Sequence, residues 1–221
     1  MSDQLQKRIY TSIILFSLLI LMFFYTYILI ISLIIMSLIS WVEFYSLISK
    51  IFLKKNLKHI FLRFLYKSLS LLYVSFFTVL IITVEIRDPN LKLLIVYSLL
   101  ISISSDIGGL LVGKTFKGKK LTKISPKKTI SGSIGSFLSS ILLIPIFLQF
   151  MDNYHIVTLV FITLIISLIS QIGDLFISFI KRKAKVKDTS NLLPGHGGLL
   201  DRIDGIIFAV PFGFLLLNVF R

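Results

Sequence analysis

Long runs of uncharged, apolar residues are the feature that most limits how this chain can fold. The first extends from Ile9 to Val42 without a charged side chain. As one helix, at about 1.5 Å per residue, it would be about 51 Å long, whereas the hydrocarbon core of a bilayer is about 30 Å thick. We therefore interpret it as two short crossings with a turn near Tyr25.

Five more runs are long enough, or nearly long enough, to cross a bilayer, which needs about 20 residues. They are Ser68 to Val84, Leu93 to Gly113, Thr129 to Met151, His155 to Ile180 and Gly205 to Phe220. Charged residues make up only 15% of the chain, against about 25% in a soluble domain. The sequence therefore predicts an integral membrane protein of the all-α class, a polytopic transmembrane helical bundle with about seven crossings.

The basic residues predict how the chain is oriented. Every Lys and Arg except Arg87, Lys92 and Arg221 lies near the N-terminus or in residues 49–67, 113–128 and 181–204. Seven crossings place these loops on one side of the membrane, which the positive-inside rule identifies as the cytoplasm. The net charge of +14 therefore needs no nucleic-acid partner. No cleavable signal peptide is evident, because the first apolar run is too long.

Residue types exclude some kinds of site. The chain has no cysteine, so disulfides and thiolate metal sites are excluded. The histidines His59, His155 and His196 are too scattered in the sequence to form a histidine-rich zinc site.

Acidic residues are scarce, so each one is informative. Asp106 and Asp174 lie within apolar runs, where an ionised carboxylate costs at least about 2.5–3.5 kcal/mol and should face a polar cavity, a cation or a partner. Helical spacing places Asp174, Ser178 and Lys181 along one face. Glu43, at the inner end of the second crossing, could be an interface anchor or a site residue, and both interpretations stay open.

Asp201 and Asp204 would share a helix face if a helix begins near Leu199. Converging carboxylates are the oxygen ligands that Mg²⁺ prefers. The alternative is a structural network in which these carboxylates pair with the neighbouring Lys181, Arg182 and Arg202. Spacing alone leaves both interpretations open.

Two loops could approach phosphate groups. Glycines surround His196, which allows close backbone approach to a ligand and exposes amides at a helix N-terminus. His196 itself could be a structural hydrogen-bonding residue or a general base. At the end of the second basic loop, Ser125 to Thr129 precede a Gly/Ser-rich helix start and could hold a triphosphate, although the loop lacks the P-loop spacing.

The longest motif of the chain comprises Ser178, Lys181, Arg182, Lys187 and Asp188, followed by Leu193-Pro194-Gly195-His196-Gly197-Gly198 and Asp201-Arg202-Ile203-Asp204. This motif resembles the signature of the phosphatidate cytidylyltransferase (CDP-diacylglycerol synthase) family. Gln171-Ile172-Gly173-Asp174 and Ser125-Pro126-Lys127-Lys128-Thr129 also look like that family, in the same order. The resemblance covers about the C-terminal half, from Asp106 onward.

The resemblance implies an enzyme of phospholipid biosynthesis that makes CDP-diacylglycerol and pyrophosphate from CTP and phosphatidic acid, with Mg²⁺ as cofactor. It assigns metal binding to Asp174, Asp201 and Asp204, and substrate binding to Ser125, Lys127, Lys128, Gly197 and Gly198. It assigns catalytic roles to Asp174, Ser178, Lys181, Arg182, Asp188, His196, Asp201, Arg202 and Asp204.

We expect residues 1–221 to form a single integral membrane domain, with N-terminal helices in 9–112, catalytic loops and helices in 113–204 and a last helix in 205–221. The cytoplasmic basic loops would form the active site. The expected location is a bacterial inner (cytoplasmic) membrane with the active site facing the cytoplasm, and a homodimer stays open.

The chain departs from the family pattern at three points. Asp106-Ile107-Gly108-Gly109-Leu110 replaces the usual Asp-Thr-x-Ala-Tyr, Ser131 precedes Gly132 where an acidic residue is usual, and Lys114 stands where Arg is common. Three alternatives follow: a CTP-dependent membrane lipid kinase, a catalytically inactive family member, and a transporter. A transporter would predict broken helices and repeated halves, of which the sequence shows no sign.

Overall fold

A computed structural model describes residues 3–54, 56–88, 91–151 and 154–220, and within these ranges the chain folds into helices joined by loops. The helices are α1 (Asp3–Phe24), α2 (Thr26–Ile51), α3 (Leu57–Arg87), α4 (Lys92–Phe116), α5 (Ile130–Ile141), α6 (Ile144–Phe147), a 3-10 turn (Leu148–Phe150), α7 (Ile156–Lys183), α8 (Leu200–Ile203) and α9 (Ile206–Val219). This confirms the all-α prediction.

The predicted division of the first apolar run is also confirmed. Helix α1 ends at Phe24 and α2 begins at Thr26, with Tyr25 between them in an extended conformation. The turn needs neither Gly nor Pro, because a φ of −121° is open to any residue. A single residue outside the helical region is therefore sufficient to separate the two helices.

Six helical stretches of the described residues are long and apolar enough to span a membrane. They are Thr26–Ile51, Leu57–Arg87, Lys92–Phe116, Ile130–Phe150, Ile156–Lys183 and Leu200–Val219, and the shorter apolar helix Ile9–Phe24 precedes them. The chain is therefore an integral, multi-pass membrane protein. The fifth crossing is divided into α5, α6 and the 3-10 turn, with a proline at the start of α6, so it is less regular than the sequence suggested.

The chain forms two compact units. Unit 1 comprises Met1–Ile86 and Ile180–Ile203, and unit 2 comprises Arg87–Phe179 and Asp204–Arg221. Each unit therefore contains segments from both halves of the sequence. The expectation of a single domain, with its three sections, stays a prediction.

Unit 1 contains α1 to α3 and the long loop that follows α7. At one end of α2, Thr26 donates a hydrogen bond to Glu85 of α3 at 2.8 Å, and near the other end Arg63 of α3 donates to Ser49 at 3.2 Å. These contacts hold α2 and α3 antiparallel. Most large apolar side chains of α1 and α3 are exposed, as helices that face lipid require.

Unit 2 is built on close contact between α4 and α5. A Cβ at Gly108 would lie 2.6 Å from the carbonyl oxygen of Gly135, and one at Gly135 would lie 2.8 Å from that of Gly108. Small residues at a helix crossing permit this approach in membranes. Ser102 and Ser105 of α4 bond to Ser170 and Ser167 of α7 at 2.7 and 3.0 Å. The altered segment after Asp106 thus provides the packing surface of α4.

Candidate active site

The residues predicted to form the site fall in both compact units. Lys181, Arg182, Asp188, His196, Asp201 and Arg202 lie in unit 1, whereas Ser125, Lys127, Lys128, Asp174, Ser178 and Asp204 lie in unit 2. Each unit contains a buried or half-buried carboxylate paired with a lysine, Asp201 in unit 1 and Asp174 in unit 2.

In unit 1, the carboxylate of Asp201 is the centre of a hydrogen-bond network. Its Oδ1 accepts from Nζ of Lys181 at 2.6 Å, and the two side chains are only 6% and 12% exposed. Its Oδ2 accepts from the amides of Thr189 and Gly198 at 2.8 and 3.0 Å. Charge-assisted bonds of this kind are about twice as strong as neutral ones, so Asp201 fixes both ends of the loop between α7 and α8.

Glu43 holds the same loop from α2. Its side chain is 4% exposed, and its Oε1 accepts from the hydroxyl of Ser190 and the amide of Leu199 at 2.6 and 3.0 Å. Its Oε2 accepts from the hydroxyl of Thr189 and the amide of Leu200, both at 2.8 Å. Glu43 is therefore a residue of this cluster and not an interface anchor.

Thr189 lies between the two carboxylates. Its hydroxyl is 2.8 Å from Glu43 and 3.0 Å from Asp201, and because a hydroxyl carries one proton it donates to only one of them at a time. The amides of Gly198, Leu199 and Leu200, expected to be available to a phosphate, donate instead to these carboxylates.

Glycines allow the loop to turn and to approach the carboxylates. Gly195 and Gly197 have φ of 76° and 85°, which L-residues with a side chain rarely adopt. Gly198 has a different role: a Cβ there would lie 1.9 Å from the hydroxyl of Thr189 and 2.6 Å from Oε1 of Glu43. The Gly-Gly sequence is thus required by the network itself, and a direct role for Gly197 and Gly198 in substrate binding stays a prediction.

The side chains of His196, Arg182 and Arg202 form hydrogen bonds within the protein. The ring of His196 contacts the hydroxyls of Thr11 and Ser12, and its carbonyl accepts two bonds from Arg202. Arg182 contacts the carbonyl of Val186 at 3.4 Å. The alternative network expected Lys181, Arg182 and Arg202 to pair with carboxylates. Of these three, only Lys181 is in an ion pair among the described residues.

Arg182, Asp188 and Arg202 expose their side chains. Asp188 lies beside Gly197, since a Cβ added to that glycine would be 3.3 Å from Cβ of Asp188. Exposed charges next to the buried network are available to a phosphate or to a cation.

In unit 2, Asp174 of α7 is paired with Lys128, which ends the basic loop. Ser178 donates to Oδ1 of Asp174 at 3.3 Å, so the predicted i, i+4 relation is observed. Asp106 of α4 interacts electrostatically with both Asp174 and Lys128. The carboxylate of Asp106, on a different helix, therefore lies near the Lys128–Asp174 ion pair.

The basic loop is folded so that Lys128 reaches Asp174. The amide of Leu121 donates to the carbonyl of Lys128 at 2.8 Å, and that of Lys128 donates to Ser125 at 3.1 Å. Thr129 then caps α5 by accepting from the amide of Gly132 at 3.0 Å. Lys127 points outward and is exposed.

The two clusters differ in how well they suit Mg²⁺. Asp106 and Asp174, with the hydroxyl of Ser178, offer oxygen ligands, and Mg²⁺ commonly uses one or two carboxylates with substrate phosphates and water as further ligands. The oxygens of Asp201 are already bonded to Lys181 and to amides. Within the described ranges no three His, Cys, Asp or Glu residues are grouped as a metal site.

Asp204 follows α8 and lies outside it. The helix begins at Leu200, close to the predicted start, but ends at Ile203. Oδ1 of Asp204 accepts from the amide of Gly205 at 2.9 Å. Asp201 and Asp204 are therefore not on one face of a common helix, and the metal role of Asp174, Asp201 and Asp204 stays a prediction.

Sequence reasoning did not assign Thr189, Ser190 or Asp106 to the site, and it left Glu43 open. Thr189 and Ser190 look like ordinary loop residues, because the partner that they bond, Glu43, lies far away in the sequence. The cost of placing Asp106 in an apolar run was a usable signal. For Glu43 the corresponding signal was its place at the end of a crossing.

Comparisons with known proteins agree with the motifs. The model of the cytidylyltransferase family matches residues 2–220. The chain is 42% identical over 146 residues to the phosphatidate cytidylyltransferase of Rickettsia conorii, covering 62% of this chain and 63% of that protein. It is 42% identical over 129 residues to the phosphatidate cytidylyltransferase of Bacillus subtilis, covering 57% and 48%.

These matches cover less than two thirds of the length of either relative. The family match, in contrast, extends over nearly the whole of this chain. This chain therefore belongs to the cytidylyltransferase family.

Proposed function

We propose that this chain is a phosphatidate cytidylyltransferase, which converts CTP and phosphatidic acid into CDP-diacylglycerol and pyrophosphate. The observation that carries the proposal is the presence of two carboxylate–lysine pairs, Lys128–Asp174 and Lys181–Asp201, in a membrane-spanning member of this family. The names of the relatives support the choice of substrates.

In this reaction an oxygen of the phosphatidate phosphate attacks the α-phosphorus of CTP. The bond between that phosphorus and the oxygen bridging to the β-phosphate breaks, and pyrophosphate leaves. Positioning and neutralisation of negative charge provide most of the catalysis in phosphoryl transfer. Side chains that bring positive charge to a site of low polarity are therefore the groups that the reaction needs.

The lysines of the two pairs supply this charge. Lys128 and Lys181 are only partly exposed, at 26% and 12%, so their interaction with a phosphate is weakly screened by water. Each is held in place by its carboxylate. We assign to them the neutralisation of substrate phosphates, assisted by the exposed Lys127, Arg182 and Arg202.

Mg²⁺ fits this assignment at Asp106 and Asp174, with Ser178 beside them. When bound, a divalent cation would neutralise phosphate oxygens and favour departure of pyrophosphate. Lys128 already provides one positive charge to Asp174, near Asp106. Asp201 instead orients Lys181 and the loop from Thr189 to Gly198.

The membrane location suits two substrates of different solubility. Phosphatidic acid would arrive by diffusion within the bilayer, and CTP from the aqueous side. The basic loops predict that this side is the cytoplasm, and we place the chain in a bacterial inner membrane on the basis of its bacterial relatives.

The position of the transferred label tests the reaction class. The full chain in detergent would be incubated with phosphatidic acid, Mg²⁺ and either α-³²P-CTP or γ-³²P-CTP, and the lipid would be extracted and counted. We expect label in the lipid only from α-³²P-CTP, in a product that comigrates with CDP-diacylglycerol, and loss of transfer with EDTA.

Label entering the lipid from γ-³²P-CTP would instead establish a lipid kinase and contradict the proposal. Absence of transfer from either nucleotide, by protein that elutes as a single folded species, would contradict it as well. Replacing phosphatidic acid with diacylglycerol is the matched control, because diacylglycerol lacks the attacking phosphate and should accept no α-label.

A further inference from the structure

Unit 1 contains a second polar feature that the proposed function does not use. It is a cleft of about 460 Å³ between α2 and α3, within the range of about 300–1,000 Å³ typical of ligand pockets. Trp41 and Tyr45 of α2 form one wall, and Arg63, Phe64, Lys67 and Leu71 of α3 form most of the other. We propose that this cleft binds the headgroup and upper acyl chain of an anionic phospholipid.

The two cations of the cleft have no acidic partner among the described residues. Neither cation takes part in the ion pairs of the two site clusters, Lys128 with Asp174 and Lys181 with Asp201. Arg63 donates to the hydroxyl of Ser49 at 3.2 Å, and Nζ of Lys67 lies 3.1 Å from the centre of the Tyr45 ring. Two like charges at i, i+4 repel each other, so an anion shared between them would be stabilising.

The depth of these cations matches a headgroup. Helix α3 has 31 residues and is about 46 Å long, longer than the hydrocarbon core of about 30 Å. Arg63 and Lys67 lie in its first three turns, close to the connection between α2 and α3, and both are half-buried. Basic pockets between transmembrane helices at this level are a known means of binding anionic lipid headgroups.

The rest of the cleft favours a lipid over a free phosphate. Leu71 and Phe64 are 43% and 70% exposed, and with the Trp41 ring they continue the cleft as an apolar surface. A soluble anion would leave this surface uncovered, whereas an acyl chain would cover it. In the cleft, cations adjoin an apolar surface, just as the phosphate of a phospholipid adjoins its acyl chains.

Trp41 provides a direct test, because it is the only tryptophan in the chain. The full chain in detergent micelles would be titrated with brominated phosphatidylglycerol or brominated phosphatidylcholine, and quenching of Trp41 fluorescence would be recorded. We expect half-maximal quenching at a concentration on the order of ten-fold lower for phosphatidylglycerol, because each cation contributes attraction.

The variant Arg63→Gln/Lys67→Gln should remove this preference. The matched control is Lys54→Gln/Lys58→Gln, which removes the same charge just before α3 and in its first turn, outside the cleft lining, and should keep the preference. Folding of each variant would be checked by its elution profile, and Lys67→Gln alone gives a milder second variant that should show an intermediate preference.

Equal quenching by the two lipids in the unsubstituted chain would overturn the proposal. A loss of the preference in the control as large as that in the cleft variant would also overturn the proposal. The attraction would then come from the basic residues around the start of α3 in general and not from the cleft. Suppression of the preference by millimolar inorganic phosphate at constant ionic strength would indicate a free-phosphate site. None of these results depends on enzymatic activity, so they are separate from the test of the proposed reaction.

Discussion

Glu43 shows how one residue can determine the shape of a loop distant in sequence. It accepts four hydrogen bonds, from two hydroxyls and two amides, and each oxygen takes two. A buried carboxylate left without such donors would be strongly destabilising. The loop from Thr189 to Leu200 therefore has one conformation in which Glu43 is satisfied, and that conformation also brings Thr189 and Gly198 to Asp201.

Replacing Glu43 with Gln should loosen this loop. The amide nitrogen would face two donors, each of which would lose its acceptor, and buried bonds to a charged group contribute about 1.5–3 kcal/mol. We expect faster hydrogen exchange of the amides of Leu199 and Leu200 and a fall in kcat of about ten-fold or more.

Glu85→Gln is the matched control for Glu43→Gln, because Glu85 accepts from the hydroxyl of Thr26 at the opposite end of α2 from Glu43. It should leave exchange in the loop unchanged. Equal effects of the two substitutions would show that Glu43 has no specific role in positioning the loop.

Residue types and spacing were enough to predict which charged groups would be used, but not how they pair. The relation between Asp174 and Ser178 follows from helical geometry and is observed. The partner of Asp174 could not be deduced, since Lys128 reaches it from a loop 46 residues away in sequence. Such pairings depend on tertiary packing, which periodicity does not encode.

Among the elements, the contact between α4 and α5 depends most on small residues. Gly108, Gly109, Gly132 and Gly135 lie where any Cβ would meet the facing helix. Helix α4 also carries Asp106, and α5 follows the loop that contains Lys128. Close packing of α4 on α5 therefore positions one carboxylate and one lysine of the unit 2 cluster.

The substitution Gly108→Ala tests this packing. Its Cβ would lie 2.1 Å from the hydroxyl of Ser139 and 2.6 Å from the backbone carbonyl of Gly135, so the helices must separate. Overpacking of this kind costs about 1–3 kcal/mol, and we expect a lower midpoint of thermal unfolding in detergent together with reduced activity.

Ile107→Ala is the comparison for Gly108→Ala on the same helix. Ile107 is 55% exposed, so shortening it should change the midpoint little. A midpoint for Gly108→Ala equal to that of the unsubstituted chain would mean that α4 and α5 tolerate a wider spacing than the structure shows.

The sequence predicted the positions of the helices better than the breaks within them. Uncharged runs identify crossings because charge is excluded from lipid, and the start of α2 beside Tyr25 and the end of α9 near Phe220 agree with them. The division of the fifth crossing at Pro145 arises from local backbone geometry within apolar sequence. The short α8, which contains Asp201 and Arg202, ends before the last apolar helix begins.

For the whole molecule, the distribution of charge predicts a definite orientation. Because the chain contains no cysteine, single cysteines can be introduced and labelled without interference. Lys119→Cys and Lys187→Cys should react with a membrane-impermeant maleimide only from the cytoplasmic side, in inverted vesicles. His155→Cys should react only from the opposite side, in right-side-out vesicles or spheroplasts.

Labelling of Lys119→Cys or Lys187→Cys from outside would contradict the orientation and would remove the basis for CTP reaching these loops. Labelling of all three positions from both sides would indicate leaky vesicles. Retention of a membrane-impermeant dye trapped inside the vesicles excludes leakage before labelling is measured.

The most direct measurement of the central claim compares the carboxylates of the two clusters in cytidylyl transfer. Transfer from α-³²P-CTP to phosphatidic acid would be measured for the unsubstituted chain, Asp174→Asn, Asp201→Asn and the control Glu85→Gln, with folding checked by elution profile. We expect a loss of about 10²-fold or more for each aspartate variant, as for removal of a charge-positioning group, and near-normal activity for the control. Transfer at the unsubstituted rate by a folded Asp174→Asn or Asp201→Asn variant would contradict the claim that both carboxylate–lysine pairs serve the reaction.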